Sequence, residues 1–339
     1  MPVATTLSHV PVLLDESINA LRIGEGSTIV DGTFGGGGHT AVILERHPTA
    51  TVVAVDRDEA AIARAEEMRR SFGRDRLIPM HGTFAELPAL LVGDGGHGGP
   101  PRRHGPNGLV DGVLLDLGLS SFQLDAAERG FAFRLDGPLD MRFDPGIGVS
   151  AADLVAELDE RSLADLIYRN GDERRSRPIA AAIVRERAKG LIDSTARLAA
   201  IVEAAVGGRR GSPTHPATQT FLALRIAVND EMGALAAGLD GAVASLRPGG
   251  RLAVISFHSI EDRLVKRTFR TMAATCVCPP EQPICTCDTT PSIRVVGKPV
   301  RPSEAESKAN PRSRSATLRV AERLTPEGTR HEPATDPTR

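Results

Sequence analysis

The sequence predicts an α/β fold with a doubly wound, largely parallel sheet and an all-helical segment inserted between two of its strands. Short β-rich runs alternate with helical patterns, which is typical of a parallel sheet. A gap of roughly 135 residues separates the fourth run from the fifth, far more than a crossover helix needs. The runs predicted as strands are Thr28–Asp31, Thr51–Asp56, Arg76–Met80, Val110–Asp116, Arg251–Phe257, Ile293–Val296 and Ala316–Val320.

The gap between the fourth and fifth strands carries helical patterns. Ser150 and Asp153 form a capping-box pattern in front of apolar residues at helical spacing. The apolar residues that indicate three helices are Leu154, Val155 and Leu158, then Ile179, Ile183 and Val184, then Leu198, Ile201, Val202 and Ala205. We interpret the gap as an inserted helical domain, after which the chain re-enters the sheet through a long helix starting near Pro216.

These patterns divide the chain into one α/β domain and one insertion. We expect residues 1–130 and 216–323 to form the two parts of a cofactor-binding α/β domain, and residues 131–215 to form a helical substrate-recognition domain. Residues 93–108 contain seven Gly and three Pro and predict a flexible surface loop. Residues 324–339 are polar, with three prolines, and predict a disordered tail.

Charge and composition limit the partners of the chain. The formal net charge of -2 gives no overall attraction to polyanions, so contact with nucleic acid depends on local basic patches. Residues 169–189 have seven basic and three acidic side chains, and residues 290–320 have seven basic and two acidic ones. Solvated helix faces are the alternative interpretation of both. With ten Phe, one Tyr and no Trp, a surface that stacks single-stranded bases is not expected.

The sequence contains neither a signal peptide nor a run of 18 apolar residues. We therefore expect a cytoplasmic protein that does not contact a membrane. No pattern in the sequence predicts an oligomeric state.

A glycine-rich loop follows the first strand and leads into a helix. Its sequence is Asp31-Gly32-Thr33-Phe34-Gly35-Gly36-Gly37-Gly38-His39-Thr40. Glycines allow the backbone to turn sharply and to approach a ligand closely. A phosphate-binding P-loop needs Lys before its Ser or Thr, whereas His39 precedes Thr40, so that interpretation fails.

Three interpretations of this loop remain. A dinucleotide would place its pyrophosphate at the helix start, where Asp31 would repel it. The same acid can accept hydrogen bonds from the methionine ammonium group of S-adenosylmethionine (SAM), while Asp56 suits the ribose of either cofactor. The turn Leu246-Arg247-Pro248-Gly249-Gly250-Arg251-Leu252 also resembles one common in SAM methyltransferases. The residues favour SAM over a dinucleotide and over glycines that only close a turn.

The fourth strand ends at Asp116, at the edge where open α/β sheets bind their ligands. Methyl transfer to carbon 5 of a pyrimidine needs a nucleophilic Cys near this point. All four cysteines lie between positions 276 and 287 instead. We therefore expect the methyl acceptor to be a nitrogen or an oxygen.

Motifs along nearly the whole chain resemble those of one family, the ribosomal RNA small subunit methyltransferase H family. Besides the glycine-rich loop, the matching stretches are His9-Val10-Pro11-Val12-Leu13-Leu14-Asp15-Glu16, Leu115-Asp116-Leu117-Gly118-Leu119-Ser120-Ser121, Ala127-Glu128-Arg129-Gly130-Phe131, Asp136-Gly137-Pro138-Leu139-Asp140-Met141-Arg142, His215-Pro216-Ala217-Thr218, Ile255-Ser256-Phe257-His258-Ser259 and Asn310-Pro311-Arg312-Ser313-Arg314-Ser315. Together these motifs are far more specific than a shared SAM fold.

The resemblance implies a class I SAM-dependent methyltransferase that methylates N4 of a cytidine in the decoding centre of 16S ribosomal RNA, with the small ribosomal subunit as its partner. Carried over by motif, the SAM contacts fall on Gly37, Gly38, His39, Asp56, Phe84, Asp116 and Gln123. Plain core packing is the alternative role of Phe84, and a hydrogen bond to the backbone that of His39. A non-enzymatic SAM-binding assembly factor and a methyltransferase of protein or DNA remain alternative functions.

Asp116 is the predicted catalytic residue. The exocyclic nitrogen of cytosine is a poor nucleophile because its lone pair is delocalised into the ring, so the site must align it and accept an N–H bond as positive charge develops. One departure bears on this role. Many amino-group methyltransferases have Asp-Pro-Pro-aromatic after the fourth strand, whereas Leu-Gly-Leu follows Asp116. The usual account of how that motif positions the amine therefore does not transfer.

The four cysteines form a compact pattern, Cys276-Val277-Cys278 followed by Cys285-Thr286-Cys287. Four thiolates this close in sequence can bind zinc tetrahedrally, and disulfides are not expected in the cytosol. The spacing differs from common zinc motifs, so an extended, proline-rich loop without metal is the alternative.

Overall fold

The computed structural model of the chain describes residues 11–92, 109–209, 211, 214–279, 282, 284–287 and 289–325. The predicted surface loop at residues 93–108 lies outside the described residues, and so does the predicted tail after Thr325.

All seven predicted strands are present and form one sheet. They are β1 (Thr28–Asp31), β2 (Thr51–Asp56), β3 (Leu77–His81), β4 (Val110–Asp116), β5 (Leu246–Ser256), β6 (Ile293–Val300) and β7 (Thr317–Arg323). The strand order is β3-β2-β1-β4-β5-β7-β6. Strands β1 to β5 pair in parallel, and β7 runs antiparallel to both β5 and β6. The predicted doubly wound, largely parallel sheet is therefore confirmed.

The fifth strand differs most from its predicted bounds, because it begins at Leu246 instead of Arg251. Leu246 pairs with Val110, and Arg251 pairs with Gly112 after a shift of register. The predicted turn therefore lies within the strand as an irregularity, with Gly249 at φ +81. Strands β6 and β7 extend past their predicted ends because they pair with each other there.

The described helices flank and interrupt this sheet. They are α1 (Leu14–Leu21), α2 (Gly38–Arg46), α3 (Glu59–Phe72), α4 (Leu87–Val92), α5 (Ser121–Asp125), α6 (Ala151–Glu157), α7 (Glu160–Gly171), α8 (Ser176–Arg187), α9 (Thr195–Ala205), α10 (Thr218–Val228), α11 (Glu231–Ser245), α12 (Ser259–Met272) and α13 (Glu304–Ala309). Within the part of the chain that the structure describes, none of them is both long and apolar enough to cross a membrane.

Apolar side chains are buried on both faces of the sheet. In β1 every residue is buried, and Ile29 and Val30 join different core clusters because successive side chains of a strand point to opposite faces. A sheet covered on both faces leaves its strand ends as the place for a ligand.

Helices α6 to α9 occupy the gap between β4 and β5 and share a third core. Ser150 begins α6 with the predicted capping box to Asp153. The third core also takes Phe221 and Leu224 from α10, so this helix packs with the helical segment. The predicted long helix from near Pro216 is therefore wrong: two helices follow, and it is α11 that leads into β5. The domain division at residues 131 and 215 stays a prediction.

Candidate functional site

A cavity of about 310 Å³ opens where β1, β2 and β4 end. The glycine-rich loop, Asp56 and Asp116 line it from the sheet. The start of α5, the turn between α10 and α11 and the start of α12 supply the other walls, through residues such as Gln123, Glu231 and Glu261. The cavity is therefore built from segments far apart in the sequence, at the edge predicted for the ligand.

Six of the seven side chains or backbones expected to contact SAM line this cavity. They are Gly38, His39, Asp56, Phe84, Asp116 and Gln123. Gly37 is not part of the lining. It is the N-cap of α2 with φ 75, and an added Cβ there would lie 2.4 Å from the ring of Phe34. Gly37 therefore shapes the loop through its backbone conformation.

The end of β2 fixes the glycine-rich loop. The carboxylate of Asp56 accepts hydrogen bonds from the backbone N–H of Gly35 at 2.8 Å and from that of Asp58 at 2.9 Å. Burial raises the pKa of Asp56. On the opposite side of the loop, a Cβ on Gly38 would lie 2.4 Å from Pro11 Cγ, so only glycine leaves room there.

Gln123 belongs to a buried polar group at the start of α5. Ser120 caps this helix, and Gln123 completes the capping box. The amide of Gln123 also donates to the carboxylate of Asp58 at 3.0 Å, and Arg129 lies 3.5 Å from the same oxygen. This group holds α5 against the start of α3.

Phe84 packs against the core and also lines the cavity. Its side chain packs against the core cluster on one face of the sheet, and a Cβ on Gly238 would lie 2.2 Å from its ring. The same residue lines the cavity. The ring therefore forms an apolar wall that α11 holds in place.

Asp116 lines the cavity and has one buried carboxyl oxygen without a described partner. Its Oδ1 is buried and has no hydrogen-bond partner among the described residues, while its backbone N–H donates to Thr33 Oγ1 at 2.6 Å. Burial, followed by the charges of Asp31 and Glu261, raises the pKa of Asp116 well above its ordinary value. A buried polar atom without a partner is costly, and a ligand that donates a hydrogen bond removes that cost.

The ring nitrogen Nδ1 of His39 faces Oδ2 of Asp116. Its Nε2 lies 3.3 Å from the carbonyl oxygen of Val12, which can only accept, so Nε2 carries the proton. Burial lowers the pKa of His39 to about 4, so the ring is neutral at pH 7. Its unprotonated Nδ1 then lies 3.6 Å from Asp116 Oδ2. His39 therefore bonds the backbone, which was its expected alternative role, and it also lines the cavity.

Asp31, expected to accept bonds from a methionine ammonium group, has a structural role instead. It is buried outside the cavity lining, and its carboxylate accepts from Thr33 N at 3.3 Å and from Thr40 Oγ1 at 2.6 Å. Burial raises the pKa of Asp31 to about 6. Its hydrogen bonds tie the end of β1 to the start of α2.

Several charged residues of the cavity were missed by sequence reasoning. Glu231 lines it and forms a two-bond ion pair with Arg225, at 2.7 and 2.9 Å. Arg57 stacks over the ring of Phe143 at 3.9 Å, and both line the cavity. Their signal in the sequence was weak because the charges come from segments that only tertiary packing brings together.

The comparison with known proteins identifies the family. The model of the MraW methylase family matches residues 6–324. The chain belongs to this family. It is 50% identical over 329 residues to "Ribosomal RNA small subunit methyltransferase H" of Thermomicrobium roseum, with 96% of each chain covered. It is 47% identical to the protein of that name from Geobacter sulfurreducens, covering 94% of this chain and 100% of that one.

Among solved structures, an rRNA methylase from Streptococcus thermophilus aligns over 92% of this chain and 94% of its own, with 10% identity and a TM-score of 0.39. The family and the strand order together make the chain a class I methyltransferase that uses SAM as its methyl donor.

The cavity fits this donor. SAM carries a cationic sulfonium, an ammonium group and an adenosine, and the cavity lining has the carboxyl groups of Asp56, Glu231 and Asp116 and the apolar ring of Phe84. Donors and positive charges on the ligand therefore meet acceptors and negative charges on the protein.

Proposed function

We propose that this chain transfers a methyl group from SAM to the exocyclic N4 of a cytidine in the decoding centre of 16S ribosomal RNA. The substrate would be the small ribosomal subunit, in the cytoplasm. Support comes from membership of the MraW methylase family and from relatives named as small-subunit ribosomal RNA methyltransferases. The observation that carries the chemistry is the carboxyl group of Asp116 in the cavity lining at the end of β4, partly exposed and with one oxygen that has no described partner.

We also propose which residues hold the cofactor. Six lining residues would contact SAM, namely Gly38, His39, Asp56, Phe84, Asp116 and Gln123, while Gly37 would act through the loop conformation. When bound, SAM supplies an electrophilic methyl group. The residues around it orient the acceptor and exclude water.

Asp116 is suited to handle the acceptor amine. An exocyclic cytosine nitrogen gains positive charge as it is methylated, and an acceptor already in position stabilises that charge without reorganising. The carboxyl group of Asp116 would be such an acceptor, because its side chain is 25% exposed and lines the cavity. His39 Nδ1, beside Oδ2, gives the carboxyl a second neighbour that can share a proton.

The position of the cysteines favours a nitrogen acceptor over carbon 5. Carbon-5 methylation of a pyrimidine proceeds through a covalent bond to a nucleophile, commonly a thiol. None of the four cysteines lines the cavity. An amine needs no such bond and attacks directly.

The two basic patches differ in what they offer to RNA. In the first, Arg175 and Arg187 donate to backbone carbonyls of Val206 and of Val155 and Leu158, so they hold the helical segment together. In the second, three exposed cations form no ion pair within the described part of the chain, namely Lys298, Arg301 and Arg314. We propose that this second patch, with the helical segment at 131–215, contacts the RNA backbone.

Product analysis of a purified reaction tests the proposed function. The wild-type chain, SAM and unmethylated small subunits are incubated, and the RNA is digested to nucleosides for mass spectrometry. We expect N4-methylcytidine, with the added mass on the base, and none with heat-inactivated protein. A methyl group on the ribose or on carbon 5 would contradict the N4 assignment. SAM binding without any turnover would favour the non-enzymatic assembly factor.

A further inference from the structure

The four cysteines lie together at the surface, away from the methyl-transfer cavity. The Sγ atoms lie 3.5 Å apart for Cys276 and Cys285, 3.5 Å for Cys285 and Cys287, 3.7 Å for Cys287 and Cys276, and 3.9 Å for Cys278 and Cys285. All four lie within 4.8 Å of one another. Sulfurs joined by a disulfide would be about 2 Å apart, so these are four separate thiol groups.

These distances match a tetrahedral metal site. In a Cys₄ zinc site each sulfur lies about 2.3 Å from the metal, which places neighbouring sulfurs about 3.8 Å apart. Four of the six separations, from 3.5 to 3.9 Å, lie close to that value. All six separations lie within 4.8 Å, so the four sulfurs are close enough together to share one metal ion.

The backbone around the cysteines supports ligation by sulfur. The N–H of Val277 points to Cys287 Sγ at 3.4 Å, and the N–H of Cys278 points to Cys276 Sγ at the same distance. Such N–H bonds stabilise thiolate charge and orient metal ligands. Two of the four sulfurs therefore have an N–H donor already in place.

The segment that carries the cysteines has little else to hold it. It connects α12 to β6, and its ends meet where Ser292 N donates to Met272 O at 2.9 Å. No described residue between them lies in a helix or strand. The apolar side chains beside the cysteines point outward, with Val277 61% and Ile284 73% exposed. Long loops without structure or core of their own are uncommon in compact domains, and a metal is one way to order them.

We propose that Cys276, Cys278, Cys285 and Cys287 bind one structural Zn²⁺ ion that orders the connection between α12 and β6. Binding displaces the thiol protons to solvent, one for each thiolate formed, and involves no change of oxidation state. The site lies outside the methyl-transfer cavity, so the proposal does not depend on the identity of the methylated nucleotide.

Elemental analysis of the purified wild-type chain, prepared with zinc and without chelators, is the first test. We expect about one zinc and no iron per chain, and a replacement of zinc by Co²⁺ that gives the absorption of a tetrahedral cobalt thiolate. The double variant Cys276→Ser, Cys278→Ser should lose the metal. The matched control Val277→Ser, which changes the exposed residue between the two ligands, should keep it.

A second measurement on the wild type avoids dependence on how the variants fold. Hydrogen exchange at the amides of residues 276–287 should be slow with zinc and at least about tenfold faster after chelation, while β1 and β4 stay protected. Zinc-free protein with four freely reactive thiols would overturn the proposal. So would two disulfides, bound iron in place of zinc, or zinc whose removal leaves exchange in this segment unchanged.

Discussion

Two carboxyl groups, those of Asp31 and Asp116, lie at the ends of adjacent parallel strands and differ in their hydrogen-bond partners. Asp31 at the end of β1 accepts hydrogen bonds on both oxygens, from Thr33 N and Thr40 Oγ1. Asp116 at the end of β4 has one oxygen without a described partner and the other beside His39 Nδ1. Burial raises the pKa of both, to about 6 for Asp31 and well above the ordinary value for Asp116. A satisfied acid serves the fold, and an unsatisfied one at a cavity is available to a ligand.

The difference between the two acids depends on the first turn of α2. Thr40, which satisfies Asp31, and His39, which faces Asp116, are consecutive residues after the glycine-rich loop. Their positions follow from the left-handed conformation of Gly37. The first turn of α2 therefore places the hydroxyl donor of Thr40 beside Asp31 and the unprotonated Nδ1 of His39 beside Asp116.

The largest effect is expected from Gly37→Val, which should disturb the surroundings of both Asp31 and Asp116. A branched side chain at φ 75 is strained, and its Cβ would lie 2.4 Å from Phe34 and 2.6 Å from Met68. We expect SAM affinity to fall more than about 100-fold, since the loop and the start of α2 must move. Calorimetry measures it. A folded variant with wild-type affinity would show that the loop conformation does not matter.

The next largest effect is expected on the free energy of unfolding, which should depend on pH because of Asp31. Its pKa is about 6 in the folded chain against 3.8 as the ordinary value, so the folded state binds the proton more tightly. Stability from this group is present at low pH and is lost as the pH rises from about 4 to about 6, by about 3 kcal/mol. Urea unfolding across this range should show the slope in the wild type and a weaker one in Asp31→Asn. Asp116→Asn should reduce the slope at higher pH.

A smaller effect is expected from Thr40→Val, which makes Asp31 resemble Asp116. The variant keeps the shape of the side chain but leaves Asp31 Oδ2 without its hydroxyl donor. We expect a loss of about 1–3 kcal/mol in the free energy of unfolding, the usual cost of an unsatisfied buried group. Thr40→Ser, which keeps the hydroxyl, is the control. If both variants are equally stable, the bond to Asp31 contributes nothing.

The smallest effect concerns the exposed cations outside the cavity. The double variant Arg301→Ala, Arg314→Ala should weaken binding of small-subunit RNA by about tenfold at low salt and less at high salt, because it removes phosphate contacts. Its SAM affinity should match the wild type. Arg74→Ala, an exposed arginine before β3, is the matched control. A loss that does not change with salt would indicate a folding defect instead.

Much of this arrangement was predictable from the sequence, and the reasons for the rest are physical. Strand ends and a glycine-rich loop are local patterns, so Asp56, Asp116 and the loop were found directly. Local patterns treat Asp31 and Asp116 alike, since both follow apolar strands. Which of them is satisfied depends on the side chains that α2 brings near. The ion pair of Glu231 with Arg225 likewise exists only once α10 and α11 meet.

The central claim is that the carboxyl group of Asp116 acts on the acceptor amine. The most direct test is the methyl-transfer rate at saturating SAM for Asp116→Asn and Asp31→Asn, with SAM affinity and melting temperature measured on the same preparations. We expect Asp116→Asn to lower this rate about 100-fold or more, since asparagine keeps the shape but loses the carboxyl group that accepts the N–H bond and can take up its proton. Saturating SAM removes any effect of weaker cofactor binding from this rate, and the melting temperature reports any change in stability separately. Asp31→Asn should keep the rate within a few-fold. An Asp116→Asn variant with the wild-type rate at saturating SAM would contradict the account.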